Sequence, residues 1–188
     1  MALNRNTGSG DASTNDLVGC QVFADETKAK EFTIVAAFVP PHKVHVLRSA
    51  MRGHRMRGQR SIHFNSERDA VRRAVLRTLV EFGVTSAIFR GATRKGRNPR
   101  EACVRELARY SRQNGCRSLV LDLDESVVAQ DRRWLHEELC KTDVRYDHLH
   151  RHEEPLLWVA DAIAWCWQRG GQWRVDIESM INLVDVAP

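Results

Sequence analysis

Gly19 to Val39 reads GCQVFADETKAKEFTIVAAFV, and its pattern decides the fold class. GCQVFADE predicts a strand ending in acid, and EFTIVAAFV predicts a second strand, because both carry short runs of β-branched and aromatic residues. Pro40 and Pro41 stop the second. Downstream the periodicity alternates. A short helix is expected from Pro41 to about Arg52, then a basic loop and a short strand, SIHF, at 61–64. Ser66 reads as the N-cap of a helix with Val71, Val75, Leu79 and Phe82 on one face. VTSAIFR (84–90) is a strand, and Asn98, Pro99 and Glu101 open a helix that Asn114-Gly115 ends. RSLVLDL (117–123) is a buried strand, followed by a helix from about Gln130 to Cys140 and a strand, VRYDHLH (144–150). Pro155 sits in the first turn of a helix carrying LLWVADAIAWCW (156–167), which Gly170-Gly171 stops; a last helix is expected from Arg174 to Val184. Two consecutive strands followed by strand–helix alternation predict an α/β domain with a mixed sheet.

The 188 residues suit one domain. Residues 1–17, rich in Asn, Gly, Ser, Thr and Asp, are expected to be a disordered tail before a domain at 18–188. That tail has no apolar core and reads as no signal peptide, and the longest apolar stretch carries Asp161 and is too short to span a bilayer. The five cysteines are odd in number and widely spaced, with no CxxC pair, which argues against a disulfide scaffold or zinc ribbon and for reduced thiols in the cytoplasm. A net charge of +5 favours an anionic partner, nucleic acid first. No GxxxxGK[ST], GxGxxG, GxSxG or HExxH occurs, so nucleotide P-loops, dinucleotide folds, α/β-hydrolases and zincins lose their usual support.

Four acids stand at the ends of apolar elements or inside one. Asp25 follows VFA, with Glu26 beside it; Asp122 follows SLVL; Glu67 follows SIHFNS; Asp161 is embedded in LLWVADAIAW. A carboxylate on an apolar helix is costly to bury unless an Arg or a metal compensates its charge. Acids beyond the carboxyl ends of strands can converge on a ligand, although turns after strands favour acids in any case. Clustered carboxylates repel one another and hold divalent cations that relieve the repulsion. Two Mg²⁺ or Mn²⁺ ions about 4 Å apart can drive phosphodiester hydrolysis.

FADET, SIHFNSE, SLVLD and above all EEPLLWVADAIAWCW resemble a bacterial family with a "DES"-like motif on its first strand, an "IH" segment and an "LLxxAD" helix. The resemblance runs from about Val18 to Gly171. It implies a ribonuclease H-like mixed sheet flanked by helices and a metal-dependent nuclease. Asp25, Glu26, Asp122 and Asp161 would then hold Mg²⁺ or Mn²⁺, with His63 at the "IH" position assisting. Thr27 stands where Ser is usual, and Ser61 stands where many members have Glu, which leaves Glu67 as the nearby acid that could complete the shell.

His148, His150 and His152 would share one face of a strand, where they could hold zinc, serve as a general acid or form a polar edge. Arg55, Arg57 and Arg60 in one loop, and Arg94, Lys95 and Arg97 in the loop from Arg90 to Arg100, could grip the backbone of RNA or DNA. Trp158, Trp165 and Trp167 on one helix are better explained by core packing than by base stacking, and Cys20, Cys103, Cys116 and Cys166 read as inert packing thiols. Two alternatives stand beside the nuclease: a non-catalytic nucleic-acid-binding or protein-interaction module on the same scaffold, and metal-dependent action on another phosphate substrate.

Overall fold

The computed structural model describes residues 16–27, 31–91 and 98–186. Strands β1 (Gln21–Thr27), β2 (Thr33–Val39), β3 (Thr85–Gly91), β4 (Ser118–Asp122), β5 (Arg145–Leu149) and β6 (Ile181–Val186) form one sheet in the order β5-β4-β1-β2-β3-β6. The expected mixture of directions is present: β2 is antiparallel to β1 and β3, while β4 runs parallel to β1 and β5, and β6 parallel to β3. β2 is buried along its whole length, as a central strand of unbroken apolar sequence should be.

The strands separate two cores. On one face Phe23, Val35 and Ala37 meet α1 (Pro41–Gly53), α2 (Asp69–Glu81) and α5 (Leu157–Arg169) through Leu47, Met51, Leu79, Trp158 and Ile163. On the other, Val22, Ala24, Ala36 and Phe38 meet α3 (Pro99–Gln113) and α4 (Val128–Leu139) through Val104, Leu107 and Leu135. α3 begins as its sequence dictates: the Asn98 side chain accepts from the Arg100 N–H, and Pro99 occupies the first turn. Gly91 is obligatory where β3 meets α3, since a Cβ there would lie 2.9 Å from both Cys103 Sγ and the Pro99 carbonyl.

Two expected elements differ. SIHF is not a strand, and Ser66 is not an N-cap. Phe64–Ser66 form a 3₁₀ turn and α2 starts at Asp69, because the Phe64 N–H donates to the Asp161 carboxylate instead of to a neighbouring strand. The helix expected from Arg174 to Val184 is instead a short α6 (Gln172–Val175), a 3₁₀ turn (Glu178–Met180) and β6. The open edge of β3 offers Ile181–Val186 a full ladder, with Ile88 opposite Leu183, and this outweighs the helical spacing of a few apolar residues.

Candidate functional site

β1 and β4 lie in parallel register with Phe23 opposite Val120 and Ala24 opposite Leu121. The next residue on each strand is an acid, Asp25 and Asp122. Both point to the α5 face, because side chains on a strand alternate and Phe23 and Val120 already face α5. Asp161 reaches the same place from α5. Its Oδ2 accepts from the Phe64 N–H at 2.7 Å and lies 3.4 Å from His63 Nδ1.

What joins the three acids is Arg151, in the turn after β5. One Nη2 bonds Asp122 Oδ2 and lies 3.8 Å from Asp25 Oδ2, while Nη1 is 4.0 Å from Asp161 Oδ1. Nη1 also meets His63 Nδ1 at 2.9 Å. That nitrogen cannot accept from Arg151 and donate to Asp161 together, so the ring's proton decides which partner it holds. The turn is itself anchored. The buried Trp158 donates Nε1–H to the Arg151 carbonyl at 2.6 Å. Glu154 takes both a fork from Arg48 of α1, at 3.0 and 2.8 Å, and the Leu156 N–H at 3.0 Å.

The electrostatics are strained toward more positive charge. Burial, then the charges of Asp161 and Asp122, push the Asp25 carboxyl up to about 8, and Arg151 and His63 offset only part of this. His63 is raised above its ordinary value, chiefly by its hydrogen bond with Asp161, against burial. Burial works against the Arg151 cation, yet Asp122 and Asp25 hold its pKa above the usual value. The donor set, three carboxylates beside an imidazole, fits a hard divalent cation. Among the described residues, however, no three His, Cys, Asp or Glu side chains are gathered closely enough to hold a metal ion as they stand. The guanidinium lies among them.

The other expected site residues are placed as follows. Glu26 turns to the opposite face of β1 and pairs with Arg100 of α3, so alternation along the strand removes it from the acid cluster. Arg100 also forks onto the buried Asp131 at 2.9 and 2.6 Å; it is thus a buried structural cation and not part of a phosphate-gripping loop. Glu67 is buried and accepts from Gln59 Nε2 at 3.0 Å, which ties down the loop carrying Arg55, Arg57 and Arg60. From that loop the Arg55 guanidinium lies 5.9 Å from the ring centre of Trp158, on the helix that carries Asp161. Arg94, Lys95 and Arg97 lie outside the described residues.

The three alternating histidines do not converge. His148 is buried against Asp131 at 3.6 Å on the α4 side, whereas His150 and His152 stack on each other beyond the strand. With Arg100, His148 holds the Asp131 carboxyl below its usual range despite burial. Of the tryptophans, Trp158 is core, but Trp165 and Trp167 only border it. Burial pushes the thiols of Cys103, Cys116 and Cys166 up to about 12, in keeping with inert packing groups. Sequence reasoning missed Arg151. The signal was present: it is the cation in HLHRHEE, just past a strand whose neighbour ends in Asp122.

The strand order, with β2 reversed beside β1 and acids at the carboxyl end of the central strands, defines a ribonuclease H-like fold. The chain is similar to a solved structure described as the PCNA:RNase HII complex from Archaeoglobus fulgidus, with a TM-score of 0.58, 12% identity, and coverage of 85% of this chain and 77% of that one. At this identity the likeness is one of fold. No protein-family model matches the sequence, and no curated protein matches it significantly. Among the described residues no helix is long and apolar enough to cross a membrane.

Proposed function

We propose that the chain is a divalent-metal-dependent nuclease that hydrolyses phosphodiester bonds of RNA or DNA. The observation that carries this reading is the convergence of Asp25, Asp122 and Asp161, from three separate elements, around one cation, with the Asp25 carboxyl still pushed up to about 8. These three residues would hold Mg²⁺ or Mn²⁺. The metal, when bound, supplies activation of water and relief of the negative charge that builds on the phosphate. The chain's own groups do the rest. The Phe64 N–H fixes the direction of the Asp161 carboxylate. His63, half exposed and raised in pKa, can carry a proton near neutral pH. Arg55, Arg57 and Arg60 supply positive charge for the phosphate backbone.

Arg151 favours a second reading. If its guanidinium is the permanent counter-ion of the acids, the scaffold binds without turnover. Cleavage of labelled RNA and DNA in Mg²⁺, Mn²⁺ or EDTA, compared with Asp161→Asn, separates the two. The nuclease reading expects metal-dependent cleavage that Asp161→Asn abolishes. No cleavage under any metal, or cleavage indifferent to the substitution, would overturn it.

A further inference from the structure

The acid cluster uses only the first half of α5. Trp165 lies four residues beyond Asp161, on the same face and about 6 Å further along the helix axis. It forms one wall of an open groove of about 510 Å³ that also includes Asn65, Gln168, Arg169 and Trp173. Around the end of α5 a second groove, of about 280 Å³, shares Gln168 and Arg169 and adds Trp167 and Arg174. The first is lined by Asn65 of the 3₁₀ turn and by the second half of α5, and the second by the C-terminal end of α5, the helix that carries Asp161.

Their chemistry is aromatic and cationic. Trp165 and Trp173 meet edge to face at 5.3 Å, both half-buried, and Trp165 Nε1 donates to Asn65 Oδ1 at 3.3 Å. Guanidinium groups lie over the rings: Arg72 on Trp165 at 4.2 Å, Arg73 on Trp173 at 4.9 Å and Arg174 on Trp167 at 3.5 Å. Arg72 is committed to Asp69 and to the Phe64 and Asn65 carbonyls. Arg73, Arg169 and Arg174 have no acidic partner within ion-pair distance among the described residues, and the Gln168 side chain makes no hydrogen bond there. Behind the sheet the opposite holds. Arg100, Arg105 and Arg109 are each neutralised by acids, Arg105 by Glu101, Glu137 and Glu138 together. Each groove also carries one acid, Asp69 in the first and Glu31 in the second, and arginines outnumber it in both: Arg72 and Arg169 in the first, Arg90, Arg169 and Arg174 in the second.

We infer that these grooves form a track for an unpaired nucleic-acid strand leading away from the acid cluster. The inference rests on the proposed nuclease reading and adds its substrate class. In a duplex the base faces are hidden by stacking, and a tryptophan in a groove wall meets only a base that has left the stack. The arginines supply phosphate contacts, and the free Gln168 amide offers a donor and an acceptor to a base edge.

The test is binding in EDTA, where metal-dependent cleavage is off, read by fluorescence anisotropy of labelled twelve-nucleotide single strands and of the matching duplex. The native protein is expected to prefer the single strand, and Trp165→Ala with Trp173→Ala to weaken single-strand binding about tenfold or more, since stacking contributes about 1–3 kcal/mol per base. Because these rings also border the core, Arg169→Ala with Arg174→Ala serves as a variant confined to exposed side chains. It should weaken single-strand binding and lower the log–log salt slope by about 1.4, at about 0.7 per phosphate contact. Equal affinity of the native protein for both forms, or an unchanged salt slope in the arginine variant, would overturn the track. Single-strand preference without cleavage in any metal removes the nuclease reading and keeps the track; cleavage without that preference does the reverse.

Discussion

Replacing Arg151 by Met keeps much of the side chain's length and removes its cation. Asp25, Asp122 and Asp161 then face one another with only His63 to offset them. Removing one partner of a buried ion pair costs about 3–5 kcal/mol. The Arg151 side chain is 30% exposed, so solvent screens part of the loss, and about 2–3 kcal/mol is expected. Each kcal/mol moves the melting temperature of a domain this size by about 2–4 °C, so Arg151→Met should melt about 4–12 °C lower in EDTA. A divalent cation takes the vacated place. At a concentration one hundred times its dissociation constant, the metal returns about 2.7 kcal/mol, nearly the whole loss. The native protein, which already carries its own cation there, should gain less. Differential scanning fluorimetry in EDTA, Mg²⁺ and Mn²⁺ reads both effects. A variant that melts early and stays so in metal would refute a metal site at these acids. A variant that melts like the native protein in EDTA would refute Arg151 as their counter-ion.

The remaining expectations concern the charges around this cluster. Asp25 is an acid whose folded pKa lies near 8, so between about pH 4 and 8 the folded state binds more protons than the unfolded one. Stability of the metal-free protein should therefore fall as pH rises through that window, and Asp25→Asn should flatten the slope in urea denaturation. Asp131 has the opposite sign: its folded pKa is lowered, so its contribution is present above its ordinary value of about 3.9 and is lost as pH falls below it. Arg100→Met, which strands Asp131 with an exposed fraction of 1%, should cost about 3–5 kcal/mol at neutral pH, and a loss under 1 kcal/mol would contradict the buried pair. Glu154→Gln weakens the Arg48 fork that holds the Arg151 turn, so amide exchange over residues 150–156 should quicken.

How far the site is legible in the sequence depends on whether a residue's place follows from local periodicity. Asp25 and Asp122 do follow from it, because an acid directly after a buried apolar run has to emerge at the strand's carboxyl end. Asp161 follows from the cost of a lone carboxylate on an apolar helix. The same period-two rule separates Glu26 from Asp25, since adjacent strand residues face opposite ways; the motif likeness groups them and the pleat divides them. β6 is not legible, because its conformation depends on an open edge of β3 about ninety residues away, and the spacing of Ile177, Met180, Ile181 and Val184 suits a helix equally well. Arg151 is the most consequential omission. Burying Asp161 requires an Arg or a metal, and the chain places an Arg there, on a turn whose position depends on Trp158 and Glu154 and on no local signal of its own. Burial first, then the neighbouring carboxylates, still push Asp25 up to about 8 with that Arg in place, so the cluster favours taking up further positive charge. A single guanidinium spread over three acids leaves a deficit that a divalent ion fills and a neutral side chain does not. The metal response of Arg151→Met measures that deficit directly.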